Sequence, residues 1–175
     1  MPSGAWLCQT RNHSRTYQLV DQIMQEAAKK FNFTSSIYNL ANLGHSFLIA
    51  QSPDDLDIKA KTIIQHIVDA DILIIGVPTW NAGYPGRFKH LFDLIAPDAL
   101  IGKPIILSAT GGSERHTLMI DYQLRPLLNY YRTIPVSTSI YATSNDEIEG
   151  YTTSFLKERI QRAIEELEKL VPYST

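Results

Sequence analysis

The chain has 175 residues, 44% hydrophobic and 19% charged, an ordinary globular balance long enough for one domain with a substantial core. A formal net charge of -2 removes the electrostatic case for nucleic acid, and the single cysteine, Cys8, excludes an internal disulfide or a thiolate metal cluster. The opening MPSGAWLCQTRNHSR lacks a basic start followed by an apolar stretch, and no apolar run nears the roughly 18 residues that span a bilayer. A cytoplasmic protein that engages neither membrane nor nucleic acid is expected.

The elements then alternate along the chain. A short first strand is expected at Gly4–Cys8, with Ala5, Trp6, Leu7 and Cys8 as its substance. Ser14–Lys30 places Leu19, Val20, Ile23, Met24, Ala27 and Ala28 on one helical stripe. Phe33–Leu40 reads as a strand, Asn42–Asp57 as a polar connection, and Ile58–Ala70 as a helix through Ile63, Ile64, Ile67 and Val68. Asp71–Val77 is a continuous apolar run, the pattern of a strand covered on both faces. Pro85 suits the first turn of a helix carrying Phe88, Leu91, Phe92 and Ile95. Pro104–Ala109 repeats the buried-strand pattern, Glu114–Tyr131 is helical, Ile134–Ala142 is a strand, and Ser154–Val171 is an amphipathic last helix. This alternation predicts an α/β fold, a doubly wound five-stranded parallel sheet of flavodoxin-like order with helices on both faces, in a single domain over 1–175.

In such a sheet ligands sit outside the carboxyl ends of the strands, where the strand order reverses. Three connections point there. The first, Gln9–Thr16, is rich in hydroxyls and donors and opens onto a helix whose free N–H groups favour an anion. Thr10, Arg11, His13, Ser14 and Thr16 are its candidate phosphate ligands, and Ser14 serves equally well as a simple helix N-cap. The second, Pro78–Gly86, is uncharged. Pro78, Thr79, Trp80, Asn81 and Gly83 offer flat faces and an approachable backbone, although Trp80 and Tyr84 taken singly also suit a core or an oligomer contact. The third, Thr110, Gly111, Gly112 and Ser113, supplies another backbone edge. Together they describe a site for a flat heterocycle with a phosphate tail. The histidines at 13, 45, 66, 90 and 116 show no metal-ligand spacing.

At these residues the chain resembles the NADPH-dependent FMN reductase family, and is most similar to the branch that supplies reduced flavin to two-component monooxygenases. The stretch VPTWNAGYPGRFKHLFDLIAPDALIGK at Val77–Lys103 follows that branch's pattern after the third strand. Ala109–Gly112 matches its ATGG, and Asp121–Leu128 its DYxLxPxL. At the first loop, Arg11, Ser14 and Thr16 match the pattern, while Cys8, Gln9 and Thr10 depart from its Gly-Ser-Pro. The resemblance implies an oxidoreductase with FMN and NADPH (or NADH), the phosphate on Thr10–Thr16, and the ring along Pro78–Gly83 and Thr110–Ser113. It also implies a flavin-dependent monooxygenase as partner and a homodimer or homotetramer. The cofactor carries the chemistry, so no side-chain acid or base is nominated. A flavodoxin-like electron carrier, or a quinone- or azo-type reductase with bound FMN, is the alternative. Finally, Pro126 inside a predicted helix removes an N–H and crowds the carbonyl of Tyr122, so a kink or a π-bulge is expected near Tyr122. The resemblance adds that Tyr122 lies near a subunit contact.

Overall fold

The computed structural model describes residues 3–8, 14–31, 34–148 and 151–171. Strand β1 (Ser3–Cys8) pairs in parallel with both β2 (Thr34–Asn39) and β3 (Ile72–Pro78), and β3 continues to β4 (Pro104–Thr110). The last position beside β4 is shared by β5 (Ile134–Pro135) and β6 (Ile140–Ala142), giving the order β2-β1-β3-β4-β5 with β6 also on β4. All of these ladders are parallel. The order reverses between β1 and β3.

Helices cover both faces. On one, α1 (Arg15–Phe31) and α6 (Ser154–Glu168) pack Val20, Ile23, Ile160 and Ile164 against Ile72, Ile74 and Ile106. On the other, α3 (Ile58–Asp69), α4 (Gly86–Asp93) and α5 (Arg125–Tyr130) pack Ile67, Phe88, Leu91 and Leu128 against Leu73, Ile75, Ile105 and Leu107. The alternating assignment of β3 and β4 residues to the two faces explains why both read as unbroken apolar runs. Local signals set the helix starts. The Ser14 hydroxyl accepts the Tyr17 N–H at 3.1 Å, Asp57 caps α3 through the Ala60 N–H at 2.8 Å, and Thr153 caps α6. At Gly76 the backbone of β3 meets α1 so closely that a Cβ would stand 2.2 Å from Val20 Cγ2.

Three expectations are corrected. The connection Asn42–Asp57 contains a short helix, α2 (Gly44–Ile49), flanked by 3₁₀ turns at Leu40–Leu43 and Pro53–Asp55, and it buries Phe47 completely. The expected fifth strand, Ile134–Ala142, is split, so the sheet contains six segments. Ile105 faces Pro135 but Ser108 faces Ile140, a slip of two residues. Pro135 has no N–H to donate. Side chains hold the slipped residues instead: Arg125 donates to the Val136 and Ser137 carbonyls at 3.0 and 3.3 Å, and Arg159 to Ser139 at 2.9 Å. Glu166 accepts the N–H and hydroxyl of Thr138 at 2.8 and 2.6 Å. Burial pushes the Glu166 carboxyl up, but these bonds outweigh it and hold the group below the ordinary glutamate range.

The third correction concerns the helix expected over Glu114–Tyr131. It opens with a 3₁₀ turn at Glu114–His116, passes through a π turn at Ile120–Leu124 and becomes regular only in α5. The π turn is the irregularity that Pro126 predicts. The Arg125 N–H reaches back five residues to the Ile120 carbonyl, a wider turn beside the proline. A small antiparallel hairpin, β7 (Glu147–Ile148) with β8 (Tyr151–Thr152), precedes α6.

Candidate functional site

The carboxyl ends of β3, β4 and β6 and the amino end of α1 meet at one rim. The ladder between β3 and β4 extends one step past Pro78, with the Thr79 N–H donating to the Thr110 carbonyl at 2.7 Å. The Gly111 N–H donates to the Ala142 carbonyl at 3.0 Å, locking the next strand end into the same rim. Thr16 joins α1 to β4: its hydroxyl and that of Thr110 lie 2.6 Å apart, with both residues buried. Thr16 is therefore placed as a pin between helix and sheet. Ser14 caps α1, and Arg15 reaches the Gly111 carbonyl at 3.4 Å. Thr10, Arg11 and His13 lie outside the described residues. A cleft of about 270 Å³ opens beside the rim, with Arg15 and Thr110 on one wall and Thr143 and Asp146 on the other.

Beyond Thr79 the chain turns back on itself. Trp80 and Gly83 exchange backbone hydrogen bonds at 2.9 and 3.0 Å around Asn81 and Ala82, whose φ angles are +49° and +67°. A two-residue turn with both central residues left-handed is the tight I′ shape. Asparagine tolerates this conformation. Alanine does so at a cost of about 1–2 kcal/mol, so the tip of this loop holds strain. Trp80 projects from it, 56% exposed.

Facing this turn, the Gly111 backbone passes under Tyr141. A Cβ at Gly111 would stand 1.8 Å from the Tyr141 hydroxyl, which itself donates to the Ser113 carbonyl at 3.1 Å. A Cβ at Gly112 would meet nothing within 4 Å. The protein's own packing thus requires glycine at 111 and leaves 112 open. Next to them the Thr79 hydroxyl is buried with no hydrogen-bond partner among the described residues. An orphaned buried hydroxyl is rare and unfavourable by about 1–3 kcal/mol. The N–H groups of Thr79, Trp80, Gly83 and Gly111 are already engaged. Asn81, Ala82, Gly112 and Ser113 therefore carry the rim's free backbone donors among the described residues.

Pro78, Thr79, Thr110 and Gly111 are thus brought together with Thr16 and the start of α1, while Trp80, Asn81 and Gly83 form the projecting turn. These residues suit a flat, largely neutral ring: two uncharged ledges, one buried hydroxyl without a partner among the described residues, and backbone donors at two loop tips. Two residues at the rim escape sequence reasoning. Tyr141 offers only its place near the end of a strand. Gln123, whose side-chain amide donates to the Ala82 carbonyl at 3.1 Å, offers no signal beyond the irregular turn around it.

Residues 1–147 match the family described as NADPH-dependent FMN reductase. The chain belongs to that family. It is 38% identical over 166 residues to the NADH-dependent FMN reductase SfnF of Pseudomonas fluorescens, covering 94% of this chain and 86% of that one. It is 36% identical over 162 residues to an FMN reductase (NADPH) of Pseudomonas aeruginosa, covering 89% and 84%. Among solved structures, an oxidoreductase from Corynebacterium diphtheriae superposes with a TM-score of 0.85 at 32% identity over 98% of this chain and 97% of that one. A WrbA-like flavodoxin from Agrobacterium tumefaciens gives 0.66 at 14% identity, over 98% and 100%, which shows the fold alone: flavodoxin-like. No helix among the described residues is long and apolar enough to cross a membrane.

Proposed function

We propose that this chain is an NAD(P)H-dependent FMN reductase acting through a single flavodoxin-like FMN-binding unit. The observation that carries the reading is the Thr79 hydroxyl, buried without a hydrogen-bond partner among the described residues, at the carboxyl end of β3, one of the two strands that flank the switch point. FMN, when bound, accepts a hydride from the nicotinamide. The chain's work is placement. Pro78–Thr79 and Thr110–Gly111 supply a rigid floor, because the hydrogen bonds of the β3–β4 ladder run through them. Gly112 leaves open the space where a ring edge approaches the backbone. The Thr79 hydroxyl and the free N–H groups of Gly112 and Ser113 are positioned to stabilise negative charge that develops on reduction. Trp80 supplies an exposed aromatic face against which a planar ring would rest. The start of α1, with Arg15 beside Ser14 and with Thr10, Arg11 and His13 in the preceding segment, is the phosphate end.

The resemblance of Val77–Lys103 to that branch supports a flavin-dependent monooxygenase as the partner that would take up the reduced flavin. Leu118, Tyr122 and Tyr130 are 61%, 76% and 65% exposed on or beside the π turn and α5, which supports a second copy covering this face in a homodimer or homotetramer. Titration of the purified protein with FMN while NADPH and NADH oxidation are followed tests the function. Saturable turnover is expected. Tight flavin binding without nicotinamide oxidation would point to an electron carrier, and no binding at all would remove the flavin reading.

A further inference from the structure

Gln123 connects two irregular features that share no element. It sits in the π turn at Ile120–Leu124, is itself exposed, and donates from Nε2 to the Ala82 carbonyl. Its Oε1 lies 2.6 Å from where a Cβ on Gly83 would stand, so the amide covers the backbone of the turn tip. The carbonyl it engages belongs to the residue under strain, Ala82 at φ +67°.

From these contacts we infer that Gln123 is a positioning residue: a latch that holds the Trp80–Gly83 turn in its left-handed shape and thereby sets the affinity for the flavin ring. Among the described residues, the backbone opposes the strain at Ala82 with the two mutual bonds of the turn. One more bond, anchored in a neighbouring element, tips that balance. The anchor is firm. Ile120 and Leu124 on either side of Gln123 are fully buried, and Arg125, which follows the π turn, ties it to the carbonyls of Val136 and Ser137 at 3.0 and 3.3 Å. The π geometry matters because one inserted residue changes the facing of what precedes it by ~100°. Ile120 and Leu124 are buried while Gln123, between them, reaches the turn.

The inference rests on the flavin reading for its purpose but not for its mechanics, and the two are separable. Amide exchange of Trp80 and Gly83 is measured in the flavin-free protein, and FMN affinity by quenching of flavin fluorescence, for wild type, Gln123→Leu, Ala82→Gly and the double variant. Gln123→Leu is expected to speed exchange of both amides and weaken FMN binding, each by roughly three- to tenfold, the size of one hydrogen bond. Ala82→Gly makes the tip Asn-Gly, the pair that favours this turn unaided. In its presence the Gln123→Leu effect should shrink to less than about twofold on both measurements. A merely structural role for Gln123 would not be suppressed at residue 82. Unchanged exchange in Gln123→Leu, or effects that simply add in the double variant, would overturn the latch. Faster exchange with no FMN binding by any of the four proteins would keep the latch and overturn the flavin reading.

Discussion

The turn at Trp80–Gly83 bends through two left-handed residues that are not glycine, whereas Gly111 and Gly112 on the opposite ledge both avoid that region. The first ledge is held from outside, by one exposed glutamine on a neighbouring irregular turn. The second is held from beneath, by the sheet ladder through Ala142 and by Tyr141 pressed against Gly111. A ledge built by crowding resists change and fails abruptly when a methyl is added. A ledge built by strain plus a latch is adjustable, and its shape responds to single hydrogen bonds. Together they give a rim with one fixed wall and one compliant wall.

The largest effect should come from the crowded side. Gly111→Ala places a Cβ 1.8 Å from the Tyr141 hydroxyl and 2.8 Å from its Cζ, so Tyr141 must move. A loss of about 2–3 kcal/mol is expected from overpacking, read by urea unfolding. Adding Tyr141→Phe removes the nearest atom and should recover part of it. If Gly111→Ala unfolds at the wild-type urea concentration, this ledge is not built by crowding.

Next is Glu166, which supports the broken edge strand that backs the same ledge. Glu166→Gln should lower stability by about 1 kcal/mol at neutral pH. The folded carboxyl titrates below its ordinary value, so its contribution is present above the ordinary glutamate range and is lost as pH falls through the depressed folded value. The gap between wild type and variant should therefore close on acidification, as unfolding curves at neutral and acidic pH would record. A gap that is constant with pH would exclude the carboxylate as its source.

Thr79→Val reverses the usual sign. The hydroxyl has no partner among the described residues, so the free protein should be no less stable and up to about 1 kcal/mol more stable. Flavin binding should weaken at the same time. Loss of stability with unchanged FMN affinity would show that the hydroxyl serves the fold. The smallest effect belongs to the strained side. Ala82→Gly relieves the left-handed alanine but adds freedom to the unfolded chain, so net stability should shift by less than about 0.5 kcal/mol. A melt that drops well beyond that would mean that Ala82 makes contacts the turn depends on.

Much of the fold was legible because its signals are local. The runs Ile72–Val77 and Pro104–Ala109 announce strands covered on both faces, the spacing of Leu19, Val20, Ile23 and Ala27 announces a buried stripe, and Ser14 marks a helix start. Pro126 is legible too, since a missing N–H acts on its own turn. The edge strand was not. The residues of its two-residue slip are held by Arg125, Arg159 and Glu166, which reach them from helices 11 to 28 residues away.

The candidate site divides the same way. The sequence by itself determined which loops would lie at the rim, because strand alternation fixes which connections leave the carboxyl ends. It also determined that the loop after β3 would be uncharged through Pro78–Gly86 while the one before α1 would carry Arg11 and Arg15. Only the tertiary structure decided what each residue does there. Thr16 pairs with Thr110, Tyr141 covers Gly111, and Gln123 reaches Ala82, at separations of 94, 30 and 41 residues. Periodicity and capping act over a turn or two of chain. Contacts at these distances are set by how helices seat on a twisted sheet, and packing leaves no mark in the local pattern.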